Sequence, residues 1–341
     1  MKTISSLNCT FGVRGGGHGS FAGSNSVDDG VTGGRAGTVG VGGFITGGSN
    51  SFHSASHSMA CEQVATFEVV LAGGSIVNAN ATSNFDLWQG LKGSGANLGL
   101  VTRFDMYAID LPDPKNPVVW GGNLIYDLSS GPQVIDALVD FAENVHKDEN
   151  SSSIVYWAYI PAIGEGITQD TTKVDLMSVV ANELGSGQPS GFCNAWFTLA
   201  FANDARFMNY AVEKFCILNN DLEAASIVDK GISNGGNIMG LDHYISKGTG
   251  IMFLITLAIN GVEEEAIAFP LVKAYVEDVD TYAASLNLAW DWKYLNYAHK
   301  VQDVIATFGD AAIEKLKAAS AEYDPTGVFQ TLRHSGFKIP S

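Results

Sequence analysis

The hexapeptide Arg14-Gly15-Gly16-Gly17-His18-Gly19 constrains this chain more than any other stretch. Consecutive glycines carry no Cβ, so their backbone can take positive φ and turn several N–H groups towards one anion. Such a run is a poor helix and a poor strand, and the elements around it must hold it as a loop. Arg14 adds a positive charge, and His18 adds a nucleophilic ring nitrogen. The set suits a bound diphosphate with something reactive beside it; a plain glycine loop is the competing reading.

Two more glycine blocks lie downstream. The second runs over residues 33–48 and contains Val39-Gly40-Val41-Gly42-Gly43; the third is Lys92-Gly93-Ser94-Gly95-Ala96-Asn97-Leu98-Gly99. At 40–43 the backbone could approach a flat or charged ligand closely, or bend between two strands. With 39 glycines and 46% apolar residues in 341, the chain reads as globular and loop-rich, with room for one large or two medium domains. Its formal charge of −17 argues against nucleic acid or an anionic membrane surface as a partner. Cys9, Cys61, Cys193 and Cys216 contain no Cys-x-x-Cys pair, which argues against zinc and leaves disulfides or scattered thiols open. Sequons at Asn8, Asn80 and Asn150 matter only in a secreted chain. No apolar run reaches transmembrane length, and residues 1–7 show no leader-like apolar core. The oligomeric state is not legible.

Taken in order, residues 10–13 read as a strand delivering the first loop, and 21–32 as a polar loop. Strands are expected at 65–71 and 75–79 around Gly73-Gly74, followed by a short helix with Asn84 as its N-cap and a strand at 100–107. Pro112, Pro114 and Pro117 mark a boundary. Beyond it, 118–126, 153–160 and 196–201 read as strands. Residues 132–145, 204–219, 265–287 and 307–323 read as helices. Val134, Leu138 and Phe141 line the first of these helices, and Phe308, Ile313, Leu316 and Ala319 the last. Glu263-Glu264-Glu265 is a solvated helix start, Asp324-Pro325-Thr326-Gly327 is a stop, and 328–338 has strand character. The alternation predicts an α+β fold whose second domain carries a sheet covered by helices on one side.

Several separated motifs together resemble the flavin-linked oxidases with a PCMH-type FAD domain and a berberine-bridge-like C-terminus, in particular the fungal members of secondary metabolism. They are Phe11-Gly12-Val13-Arg14-Gly15-Gly16-Gly17-His18, Val39-Gly40-Val41-Gly42-Gly43, Glu68-Val69-Val70-Leu71 through Asp105, Tyr294-Leu295-Asn296-Tyr297 and Tyr323-Asp324-Pro325-Thr326-Gly327-Val328-Phe329-Gln330. The resemblance covers most of 8–110 and 285–338. It implies an FAD-binding domain over 1–112, a substrate domain with an antiparallel sheet over 113–284, and a C-terminal segment, 285–341, returning to the FAD domain. It implies FAD as cofactor, joined covalently through His18. Arg14, Gly15, Gly16, Gly17, Gly19, Val39, Gly40, Gly42, Gly43, Asn97, Gly99, Val101 and Asn296 contact it, and Tyr294 and Asn296 act at the reacting centre. A second, cysteinyl bond is not expected, because Ala36 and Gly37 stand where bicovalent members place a cysteine.

The chain also departs from the pattern. Ser49 replaces a usual glycine, and His299 replaces an acidic residue. The family's α/β portion before the first loop is reduced to residues 1–9, and Val31-Thr32 runs straight into Gly33 where a strand–loop–helix is usual. The resemblance therefore implies an incomplete FAD domain. The expected activity is oxidation of a small-molecule, secondary-metabolite type substrate by hydride transfer to flavin, with O₂ as reoxidant. A flavin-free cyclase or dehydratase, or an inactive relative, is the alternative.

Overall fold

The structure is a computed structural model. It describes residues 1–7, 32–36, 39–109, 118–160, 164–176, 179–180, 193–215, 221–227, 236–259, 262–334 and 336–341. The chain divides into two compact units. One comprises Met1–Pro117, Asp229–Asp242 and Asp303–Ser341; the other comprises Val118–Val228 and His243–Gln302.

The first unit is built on an antiparallel three-stranded sheet, β1 (Val64–Val70), β2 (Ile76–Asn80) and β3 (Leu100–Met106), with β1 in the middle. The β1–β2 turn closes through Gly74 N–H to Leu71 O at 2.8 Å, with Gly74 at φ +78°, a conformation that favours glycine. Residues 39–43 do not bend between strands. A six-residue helix, α1 (Val41–Thr46), starts there. Glycine costs a helix about 1 kcal/mol per residue, and a helix this short needs tertiary support. The support is the burial of Ile45 and Thr46 and the Thr46 Oγ1 bond to Gly42 O at 2.9 Å. Asn84 precedes α2 (Phe85–Leu91) as expected but does not cap it through its side chain. It sits at φ +50° and donates Nδ2 to Asn78 O. Trp88 fixes α2 on the sheet by donating Nε1 to Val64 O at 3.0 Å.

The second unit is an antiparallel sheet of seven strands: β4 (Val118–Tyr126), β5 (Ile154–Ile160), β6 (Gly164–Leu176), β7 (Cys193–Ala202), β8 (Asp221–Ile227), β9 (Gly250–Ile259) and β10 (Ala289–Trp290). Their order is β10-β7-β9-β8-β5-β6-β4. Helices α3 (Gly131–Asn144), α4 (Ala205–Phe215) and α5 (Val262–Ser285) supply the apolar residues of one core. Phe197, Leu199 and Phe201 of β7 and Ile251, Phe253 and Ile255 of β9 point into it, with Leu138, Phe207 and Val279 from the three helices. Side chains alternate across a strand. Trp196, Thr198 and Ala200 therefore take the opposite face, together with their register partners Thr256, Leu254 and Met252. Helix α5 begins at Val262, earlier than expected, which places Glu263, Glu264 and Glu265 in its first turn, where the helix dipole favours negative charge.

The chain then returns to the first unit as α6 (Asp310–Tyr323) and α7 (Val328–Thr331). Thr307 and Phe308 belong to a separate turn, because Gly309 at φ +88° divides them from α6. The tail at 328 is helical rather than extended. Asp324 accepts the N–H groups of Val328 and Phe329, each at 2.7 Å, and so caps α7. Segment 236–242 also packs in this unit: Asn237 Nδ2 donates to Glu62 Oε1 at 2.6 Å and Ile238 N–H to Lys92 O at 3.2 Å.

Candidate functional site

Arg14, Gly15, Gly16, Gly17, His18 and Gly19 lie outside the described residues, as do the strand expected at 10–13, most of the loop at 21–32, Gly37 and the prolines at 112–117. The second and third glycine blocks are described, and the structure brings them together. Gly93 and Gly95 both donate N–H to Thr46 O, at 3.1 and 2.8 Å, so the third block is bonded to the last residue of α1.

The two blocks differ in what they leave open. A Cβ at Gly42 or Gly43 would meet nothing within 4 Å, and Val39 and Val41 are exposed beside them. Gly40, the residue before α1, is half-buried and extended at φ −73°. The third block is closed by its own unit. A Cβ at Gly99 would stand 2.3 Å from Val69 Cγ1, and one at Gly93 2.3 Å from Met239 Cγ. Asn97 is fully buried. Its Nδ2 donates to Ser94 O and Phe337 O, and its Oδ1 accepts from Arg333 Nη2 at 2.7 Å and Gln330 Nε2 at 3.2 Å. Val101 pairs with Val69 in the sheet. Asn97 thus fastens the C-terminal tail to the loop, and Gly99 lets the loop rest on β1. Ser49 takes φ +64°, a left-handed conformation that favours glycine, and donates Oγ to Gly48 O at 2.6 Å.

Lys92, which opens the third block, is buried with its ammonium 3.4 Å above the Trp88 ring. Burial pulls its pKa down to about 8, while the nearby charge of Glu62 opposes the shift. Cys61, beside them, is buried, and its charge also opposes the shift of Lys92. Cys9 and Cys216 lie outside the described residues.

Tyr294 and Asn296 belong to the second unit and lie at a single turn, Leu295–Tyr297. Asn296 Nδ2 donates to Tyr294 Oη at 3.0 Å, and Tyr294 is 1% exposed. The Tyr297 ring meets Tyr294 edge-on at 4.9 Å and Trp196 at 5.6 Å, while Trp292 stacks on Tyr294 at 6.1 Å. The turn is anchored to β7 by Gln302, whose Oε1 accepts Thr198 N–H and His299 N–H at 3.1 Å and whose Nε2 donates to Thr198 O at 2.8 Å. His299 stacks on Phe197 at 4.6 Å, and burial followed by the charge of Lys300 lowers its pKa. It is packed on the helix side of the sheet. Gln302, Trp196 and Thr198 were not singled out from the sequence. The signal for Thr198 was there: it is a polar residue inside the apolar run Trp196-Phe197-Thr198-Leu199-Ala200-Phe201.

Among the described residues no cluster of His, Cys, Asp and Glu could hold a metal ion, and no helix is long and apolar enough to cross a membrane. No protein-family model matches the chain. An FAD-dependent monooxygenase of Aspergillus calidoustus is 32% identical over 352 aligned positions, covering 91% of this chain and 65% of the relative. Among solved structures, the berberine bridge enzyme of Eschscholzia californica superposes with a TM-score of 0.69 at 15% identity, over 95% of this chain and 77% of that one. The chain is similar in sequence to FAD-dependent monooxygenases and shares the fold of the berberine bridge enzyme. A further member of this fold, a glucooligosaccharide oxidase of Acremonium strictum described with a 6-S-cysteinyl, 8α-N1-histidyl FAD, covers 92% of this chain and 73% of its own at 18% identity and TM-score 0.69. The 352 aligned positions outnumber all 341 residues, so the Aspergillus relative carries internal segments that this chain lacks. The chain spans about 65% of that relative's length.

Among the described residues, Gly42 and Gly43 leave open space between the exposed Val39 and Val41 and the buried end of α1.

Proposed function

We propose that this chain is an FAD-linked oxidoreductase that oxidises a small organic molecule, of the secondary-metabolite kind. The observation that carries the reading is the open surface at Gly42 and Gly43, in a chain whose relative is named an FAD-dependent monooxygenase. Bound FAD would supply the hydride acceptor for a substrate C–H bond, with O₂ as the reoxidant.

The first unit is the flavin unit and the second the substrate unit. Val39, Gly40, Gly42 and Gly43 form the wall for the ring. Asn97, Gly99 and Val101 hold the adjoining loop in place. Arg14, Gly15, Gly16, Gly17 and Gly19 supply charge and N–H groups for the diphosphate, and His18 the covalent link. Tyr294, as the phenolate, takes up a substrate proton and becomes the phenol, and the Asn296 amide N–H donates to its oxygen. The aromatic rings of Tyr297, Trp196 and Trp292 exclude water around that oxygen. The acidic surface disfavours nucleic acid and anionic lipid as partners.

The test is to purify the protein with a Gly43→Leu variant. Native protein carrying FAD, and a folded variant carrying much less, supports the reading. A folded, colourless native protein that takes up no added FAD removes it and directs attention to non-redox chemistry.

A further inference from the structure

On the sheet face opposite the helix-packed core, β7 carries Trp196 and Thr198 two residues apart, and Thr256 of β9 stands opposite Trp196. The rest of this face near them is apolar: Leu254, Ala200 and Met252, all buried. Thr198 is 0% exposed, and its Oγ1 has no hydrogen-bond partner among the described residues; the same holds for Trp196 Nε1. A buried donor without an acceptor weakens a fold, and an apolar residue of the same shape would remove the cost. The position is also rigid. The Thr198 backbone is held on both sides, by the β9 ladder and by Gln302. Trp196 touches Tyr297, which touches Tyr294.

We propose that Thr198 and Trp196 determine specificity by binding a substrate oxygen. An indole N–H can only donate, so its ligand presents an acceptor, and the surrounding rings favour a flat apolar body. The substrate class is thus an aromatic or conjugated molecule bearing a carbonyl or hydroxyl oxygen. A site built to hydrogen-bond an oxygen rejects the analogue lacking it, because the site's own polar groups are then left unpaired. The proposal rests on the reading above only in placing the reacting centre at Tyr294.

The probes are acetophenone and ethylbenzene, which differ in one carbonyl. Binding is measured by ligand-observed NMR on native protein, Thr198→Val and Trp196→Phe, with a melting temperature for each. Native protein is expected to prefer acetophenone about tenfold. Each variant is expected to lose at least threefold of that preference, and Thr198→Val to melt no lower than native protein. A native protein without preference overturns the proposal. So does a Thr198→Val variant that melts lower while keeping the preference, since the hydroxyl then serves the fold. Binding needs no flavin. A colourless protein that discriminates the probes keeps this inference and removes the redox reading; a flavin-loaded protein that does not discriminate does the reverse.

Discussion

The side-chain amide of Gln302 pairs with both backbone groups of Thr198, accepting its N–H at 3.1 Å and donating to its C=O at 2.8 Å. One side chain thus does for β7 what a neighbouring strand would do, at a point beyond the two-residue β10. Because Oε1 also takes the N–H of His299, the same amide ties the Tyr294–Tyr297 turn to the sheet.

Gln302→Glu tests this pairing. An ionised carboxylate still accepts from Thr198 and His299 but repels the Thr198 carbonyl; a protonated one donates to it. Protonation is therefore favoured in the folded protein, whose introduced carboxyl sits above the unfolded value of about 4.3. The folded state then binds more protons, so stability falls as pH rises through that window. Denaturant unfolding at pH 7 should show a loss of about 1–3 kcal/mol against native protein, and the gap should narrow by pH 4.5. An equal gap at both values contradicts the pairing.

Glycine substitutions should separate ligand surface from packing. Gly99→Ala drives a methyl group to 2.3 Å from Val69 Cγ1 and should cost about 1–3 kcal/mol, read by urea unfolding. Gly42→Ala lies in α1 with nothing within 4 Å and should raise stability by about 0.5–1 kcal/mol. Flavin content per chain, read from the visible spectrum, should fall in Gly42→Ala. Unchanged flavin content would remove α1 from the wall.

The sequence was most legible where one face of an element is buried and least where both faces are buried or the strand sequence is polar throughout. The hairpin around Gly73-Gly74, the strand at 100–106 and the helix at 131–144 follow from turn chemistry and periodicity. Strand β9 was missed because 251–256 are all buried, so its run Ile251-Met252-Phe253-Leu254-Ile255-Thr256 shows no alternation. The polar β6 shows none either. Residues 40–43 read as a ligand surface or a bend, and no helix was expected there; burial of Ile45 and Thr46 outweighs glycine's reluctance to enter one. Tyr294 and Asn296 were singled out by motif, and a hydrogen bond joins them. Gln302 and Asn97 act through contacts more than 100 residues away, at Thr198 and in the tail at 330–337, which no local pattern reveals.

Buried Lys92 predicts a pH signature. Its pKa of about 8 in the folded protein lies below its ordinary 10.5, so the unfolded state binds more protons between these values. Stability contributed by this group therefore rises as pH climbs from about 8 towards 10.5. Comparing native protein with Lys92→Met at pH 7.5 and 9.5 should show native protein gaining on the order of 2 kcal/mol relative to the variant. Parallel pH dependence in the two would refute the placement of Lys92.

Tyr294→Phe keeps the ring packed against Trp292 and Tyr297 and removes the oxygen that Asn296 addresses. With a turned-over substrate in hand, kcat should drop by about 10²–10⁴ with little change in melting temperature. Asn296→Leu should lower kcat less, since it removes a partner of the oxygen and not the oxygen itself. A Tyr294→Phe variant with native kcat would move the proton acceptor elsewhere.

The most direct measurement is the absorbance of purified protein from about 350 to 500 nm, before and after acid precipitation. The account predicts a flavin band that stays with the pellet, and its loss from the pellet in His18→Ala. A folded native protein with no flavin band, before or after addition of FAD, would contradict it.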